Sequence, residues 1–231
     1  MTNGNNLKKG ENILQVTKAE QYRTVAELFQ KSQPDSVFYT LLTLAVIIVS
    51  SGLLINNSFI VIGGMLVAPV LTPVMLAALG LAVGQTKPVK DGALLIIRSS
   101  LLIVVGGLVM SFVFGSNQHN LFFENTMRTA ILYFIVAIAS GVAATLAWTR
   151  KEIIDAVTGT AIALSLVPPL VLIGIRLGNL DFELARYYFL VFLFNLLGTL
   201  VGSLVTFTML KFYKSEQKVV QEVKEHTNQA E

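Results

Sequence analysis

The chain has 231 residues, 54% of them hydrophobic and 13% charged, with a formal net charge of +3 and no cysteine. Soluble domains average about 45–50% apolar and about 25% charged residues, so this is the composition of an integral membrane protein. Without cysteine there is no disulfide framework or thiolate site. The two histidines, His119 and His226, fall in a loop and in the tail, so no metal, cofactor or redox chemistry is expected. The small charge is spread along the chain and forms no nucleic-acid patch.

The first 35 residues contain no apolar core of signal-peptide length. Val16, Ala19, Tyr22, Val25, Ala26 and Phe29 recur there at spacings of three and four among charged neighbours. This predicts an amphipathic helix, lying on the inner headgroups or packed on the bundle, with a partner-docking helix as the alternative. Six apolar stretches of spanning length follow, at 37–56, 58–84, 92–115, 129–149, 156–177 and 187–212. The expected organisation is a cytoplasmic segment 1–35 with an interfacial helix, a six-span all-α membrane domain 36–212, and a cytoplasmic tail 213–231. Of the 17 Lys and Arg residues, 14 fall on the side of the termini, leaving Arg128, Arg176 and Arg186 opposite. Basic flanks are retained inside, so a multi-pass protein of the cell (inner) membrane with both termini cytoplasmic is expected.

Spans 1 and 2 are joined by Asn56, Asn57 and Ser58. Turn chemistry accounts for two adjacent asparagines; amides at an outer pore mouth are the sharper reading. Span 2 then carries "GGMLVAPVLTPVML", residues 63–76, with Pro69 and Pro73 in mid-run. A proline removes a donor and crowds the carbonyl four residues back, and that carbonyl needs a partner or a cavity inside a bilayer. Span 5 carries Pro168 and Pro169 in "LSLVPPLVL". Ser51-Gly52 matches Ser140-Gly141, Pro69 matches Pro168, and Gly106 matches Gly202, in preserved order. The expected architecture is two inverted three-helix repeats, about 37–115 and 129–212, with spans 2 and 5 broken at prolines.

Paired broken helices point to a binding site or pore. The expected path therefore lies at Gly63, Gly64, Pro69, Thr72 and Pro73 of span 2 and Ser165, Pro168 and Pro169 of span 5. Thr72 and Ser165 place hydroxyls beside the freed carbonyls. A packing kink accounts for the prolines equally well.

The stretches "SGLLINNSFIVIGGMLVAPVLTPVMLAALGLAVGQ", "ASGVAATLAW", "ALSLVPPLVLIGI" and "NLLGTLVG" resemble the prokaryotic membrane family called domain of unknown function 389, over roughly residues 37–210. The resemblance implies a polytopic membrane protein and no particular substrate or reaction. Thr72-Pro73 departs from the family's pattern, in which Gly or Ser precedes that proline.

No Asp or Glu sits in mid-span, since Asp91, Glu152 and Asp155 fall at span starts. That disfavours a carrier coupled through a buried carboxylate. Arg98, inside span 3, either snorkels to the headgroups or attracts anions at an inner vestibule. Asn195, deep in span 6, either bonds a neighbouring helix or lines a pore. Gly198, Gly202 and Ser203, like Gly80 and Gly84, form small-residue faces that pack helices closely, and a homo-oligomer in the lipid bilayer is expected. No nucleophile, base and metal set is present, so no enzyme is expected. The leading expectation is a channel or facilitator for ions or small solutes, and the alternative is a non-transporting scaffold that recruits partners.

Overall fold

Polar residues between the apolar runs set where the helices begin. Asp35 accepts from the amide of Phe38 at 2.7 Å, Asn57 from Phe59 and Ile60 at 3.0 and 3.3 Å, and Asp181 from Leu184 at 3.1 Å. Each satisfies an amide that a helix start leaves without a partner. Thr17 and Glu20 form a reciprocal capping box. Left-handed Asn56, Gly84 and Lys211, with φ of 56°, 73° and 60°, close the preceding helices.

The computed structural model describes residues 16–115, 127–150 and 160–228. Among them every regular element is helical: α1 (Lys18–Lys31), α2 (Ser36–Leu54), α3 (Ser58–Val67), α4 (Leu71–Val83), α5 (Thr86–Phe114), α6 (Met127–Thr149), α7 (Thr160–Gly178), α8 (Phe182–Met209), a 3-10 turn (Phe212–Ser215) and α9 (Glu216–Asn228). The segments carrying His119, Glu152 and Asp155, and the chain ends 1–15 and 229–231, lie outside the described residues.

The chain is all-helical among the described residues, with the long apolar helices of a membrane protein. Among the described residues α2, α5, α6 and α8 are long and apolar enough to cross a bilayer, and the bent pair α3 with α4 makes a fifth span if counted as one. The expected fifth span, 156–177, corresponds to α7, whose described apolar part, Leu166–Gly178, is too short to count. A second expectation is corrected: α7 carries Pro168 and Pro169 inside one continuous helix, so among the described residues only span 2 is broken. The amides those prolines lack would have met the carbonyls of Leu164 and Ser165. The helix is enclosed by protein, being buried throughout from Leu166 to Arg176. The same holds for α4, buried from Thr72 to Gly80. The two proline-bearing helices are thus shielded from lipid, where unmet backbone groups are not tolerated.

Glycines set the close crossings. A Cβ on Gly52 would come within 2.8 Å of Val61 and one on Gly64 within 2.7 Å of Val49, which fixes α2 and α3 as a tight hairpin. Gly92 of α5 lies against Pro73 and Ala77 of α4, Gly107 and Gly174 join α5 to α7, and Gly141, Gly198 and Gly202 join α6 to α8. The small face of Gly198 and Gly202 is therefore used within the chain, as is Gly80 against Val89. Among the described residues the two halves do not pair alike, since α2 packs far more extensively along α3 than α6 does along its counterpart α7.

Two apolar cores result. One joins α2, α3, α5, α7 and the first half of α8, around Leu42, Val49, Ile103, Val171 and Tyr188. The other gathers α1, α4, the ends of α6 and α8, the 3-10 turn and α9, around Leu28, Met75, Leu79, Phe207 and Phe212. The break between α3 and α4 passes the chain from the first core to the second. Helix α1 packs on the bundle through Gln21, Thr24, Val25, Leu28 and Phe29, a face rotated from the expected one, and Tyr22 is left 38% exposed.

Candidate functional site

Ala68, Pro69 and Val70 separate α3 from α4, and the pair bends by 54°. Pro73 does not break α4, because it is the third helical residue and first-turn amides have no intrahelical partner to lose. Its missing N–H would otherwise have faced the carbonyl of Pro69. That oxygen is met by the Thr72 hydroxyl at 3.2 Å, which also lies 3.2 Å from the carbonyl of Lys31. One side chain thus ties the bend to the end of α1. Val70 supplies no side-chain cap to α4, so free amides of one helix start and free carbonyls of one helix end meet at the bend.

The bend opens on a cavity of about 550 Å³. Its walls are Val37, Phe38 and Leu41 of α2, Met65 to Thr72 across the break, Leu166 and Val167 of α7, and Trp148 of α6; Gln30, Lys31, Gln33 and Asp35 close one end. The Lys31 ammonium sits 5.0 Å from the centre of the Trp148 ring, a cation–π contact. A second cavity of about 420 Å³ lies on the other side of the α1–α2 linker, lined by Phe29, Ser32 to Asp35, Leu76, Asp91, Leu94, Leu95 and Arg98. Gln33 and Asp35 belong to both walls, so the linker is a strap between them. At the other end of α1 Glu20 is a carboxylate whose partial burial raises its pKa, while hydrogen bonds from Thr17 and the charges of Arg150 and Arg23 bring it below the usual value.

The structure brings Pro69, Thr72 and Pro73 to the break, with Pro69 and Thr72 on the cavity wall. Neither Gly63 nor Gly64 lines the cavity, contrary to the expected path: Gly64 packs against α2, whereas a Cβ on Gly63 would meet nothing within 4 Å. Pro168 and Pro169 follow the wall residues Leu166 and Val167 directly in α7; the side chain of Ser165 is outside the described residues. Asn56 and Asn57 are held at the far end of α3 by turn and cap roles, ten residues from the break. Asn195 is 1% exposed in α8 and does not line the cavity. Arg98 lines the second cavity and not the first.

Sequence reasoning missed the strap, Trp148 and Leu166-Val167 as parts of the site. The signal for the strap was the amphipathic helix running into "SQPD" just before span 1. It also missed Ser99, whose buried hydroxyl has no protein partner among the described residues. The α4–α5 register set by Gly92 against Ala77 puts Ser99 level with Val70. At the opposite end, Arg176, counted only as a loop charge, is 7% exposed, with its guanidinium 3.7 Å from the Asp181 carboxylate.

No solved structure matches the chain. It is similar to an uncharacterized protein of Methanocaldococcus jannaschii, at 21% identity over 189 residues, which are 82% of this chain and 58% of that protein. The chain thus spans less than two thirds of the length of that curated relative. The model of the family described as Domain of unknown function (DUF389) matches residues 65–201, more than half of the chain and the whole stretch from the end of α3 to the middle of α8, and the chain belongs to that family.

Proposed function

We propose that the protein is a membrane transporter of the channel or facilitator type, passing ions or small solutes along a path at the break between α3 and α4. The observation that carries the proposal is that the 54° bend opens on a cavity of about 550 Å³. Broken helices whose ends meet beside a cavity supply backbone groups that exchange partners with a passing solute. The strap Ser32–Asp35 and Arg98 form the inner vestibule of this path, and the buried Ser99 hydroxyl lies at its level. Helix α7 is continuous, so the proposed path lies at a single break and not at a pair.

The test is flux of ions and neutral solutes into liposomes holding the purified protein. Ala68→Phe, which fills the cavity, lowers selective flux at least tenfold, while Gly63→Leu on the open side of α3 leaves it unchanged. Absence of flux across the panel from folded, inserted protein overturns the proposal in favour of a scaffold.

A further inference from the structure

We propose that the cavity at the break holds one acyl chain of a bilayer phospholipid, admitted sideways from the membrane, with the phosphate at the Lys31 end. The wall changes character along its length. Gln30, Lys31, Gln33 and Asp35 close one end, with Thr72 and Trp148 beside Lys31; there the single Thr72 hydroxyl proton is shared between two carbonyls and the Trp148 indole N–H is buried without a partner among the described residues. The other lining side chains, of Val37, Phe38 and Leu41, of Met65 to Leu71, and of Leu166 and Val167, are apolar. No side chain among them is placed to replace the water around an ion or a sugar, whereas a hydrocarbon chain needs no replacement.

The mouth faces the right solvent. Its sill is Val37, Leu41 and Leu66, which are 61%, 38% and 55% exposed, and on α2 it continues into exposed Leu44 and Ile47. These residues lie on the apolar outer surface of a membrane protein, so the cavity opens into lipid. Its length fits as well. Along α2 its lining runs from Asp35 to Leu41, six residues or ~9 Å, about a third of a hydrocarbon core, which takes the headgroup-proximal part of one chain. At the polar end, an exposed lysine stacked on a tryptophan is the pairing that anchors proteins at lipid headgroups. The Asp35 carboxylate beside it is engaged by the Phe38 amide.

The inference rests on the path proposed above and narrows its solute to molecules with a hydrocarbon chain. It is tested with the full chain in vesicles of dioleoylphosphatidylcholine and dioleoylphosphatidylglycerol, doped with a phosphatidylcholine carrying a diazirine midway along one chain. After irradiation, adducts on Leu41, Met65, Leu66 and Ala68 exceed those on the outer residues Leu101 and Val105 at least tenfold, although Leu101 and Val105, at 65% and 50%, are more exposed than Leu41 and Met65. Ala68→Phe removes that excess, as does Leu66→Trp, which narrows the mouth at an exposed site; Gly63→Leu keeps it. Adducts spread evenly over the outer surface, or an excess untouched by both variants, overturn the inference. Because cross-linking reads occupancy, the two proposals separate. An excess without flux of any solute keeps the lipid site and overturns transport; ion flux lost in Ala68→Phe without an excess keeps transport and overturns the lipid site.

Discussion

The Thr72 hydroxyl donates to the carbonyl of Pro69 across 3.2 Å, and that carbonyl is the group which Pro73, four residues on, has no N–H to satisfy. Thr72 is 6% exposed, so water does not readily replace it. Thr72→Val keeps the shape and removes the donor, leaving two carbonyls short of a partner; a cost of about 1–3 kcal/mol is expected. Thr72→Ser keeps the donor and loses only a methyl group, about 1 kcal/mol or less. Chemical unfolding of the reconstituted protein orders the three as wild type, Ser, Val. If Ser and Val lose the same amount, the hydroxyl is not what supports the bend.

That bond also shows why part of the site was legible in sequence and part was not. Apolar length predicted α2, α5, α6 and α8, since no other feature decides whether a segment can cross lipid. Proline marked the positions of backbone stress but not their outcome. Pro69 sits in a break, Pro73 starts a helix and Pro168-Pro169 continue one, and the difference lies in first-turn position and in burial by neighbouring helices. The face of α1 was misread for a similar reason. Gln21 and Thr24 look solvent-facing by periodicity, yet Gln21 is buried because its partners come from residues about 190 positions away, which no local pattern contains. The cavity depends on the strap and on Trp148, brought together only when α1 folds back on α6.

Two glycines give opposite expectations under the same substitution. A Cβ on Gly174 would run into backbone atoms of Val104 and Leu108, whereas one on Gly63 meets nothing within 4 Å. Gly174→Ala forces α5 and α7 apart in the middle of the main core, and overpacking of that kind costs about 1–3 kcal/mol. Gly63→Ala lies in a helix with open space around it and stabilises by about 0.4–1 kcal/mol through the unfolded chain. Unfolding midpoints of the two variants therefore move in opposite directions from wild type. A neutral or stabilising Gly174→Ala would mean that the α5–α7 crossing is looser than described.

Gln21 fastens α1 to the far end of the chain. Its amide nitrogen donates to the carbonyl of Leu210 at 2.9 Å, just past the end of α8, and its amide oxygen accepts from the Ser215 hydroxyl at 2.7 Å. The first bond meets a carbonyl that a helix end leaves open, and the second holds the 3-10 turn. Gln21→Leu fills the same space, removes both bonds and leaves two buried polar groups unmet, at about 1–3 kcal/mol each. Because α1 also packs through Leu28 and Phe29, the loss falls on local opening of α1 and the tail and not on the whole bundle. Hydrogen exchange should then quicken by roughly 30-fold or more in α1 and the 3-10 turn, as about 2 kcal/mol or more of opening energy implies, while the middle of α8 is unchanged. Exchange that quickens equally in α8 would place α1 inside the same cooperative unit as the membrane core. The strap Ser32–Asp35 would then be as rigid as the helices it joins, and any change in shape of the two cavities it separates would have to come from the bend itself.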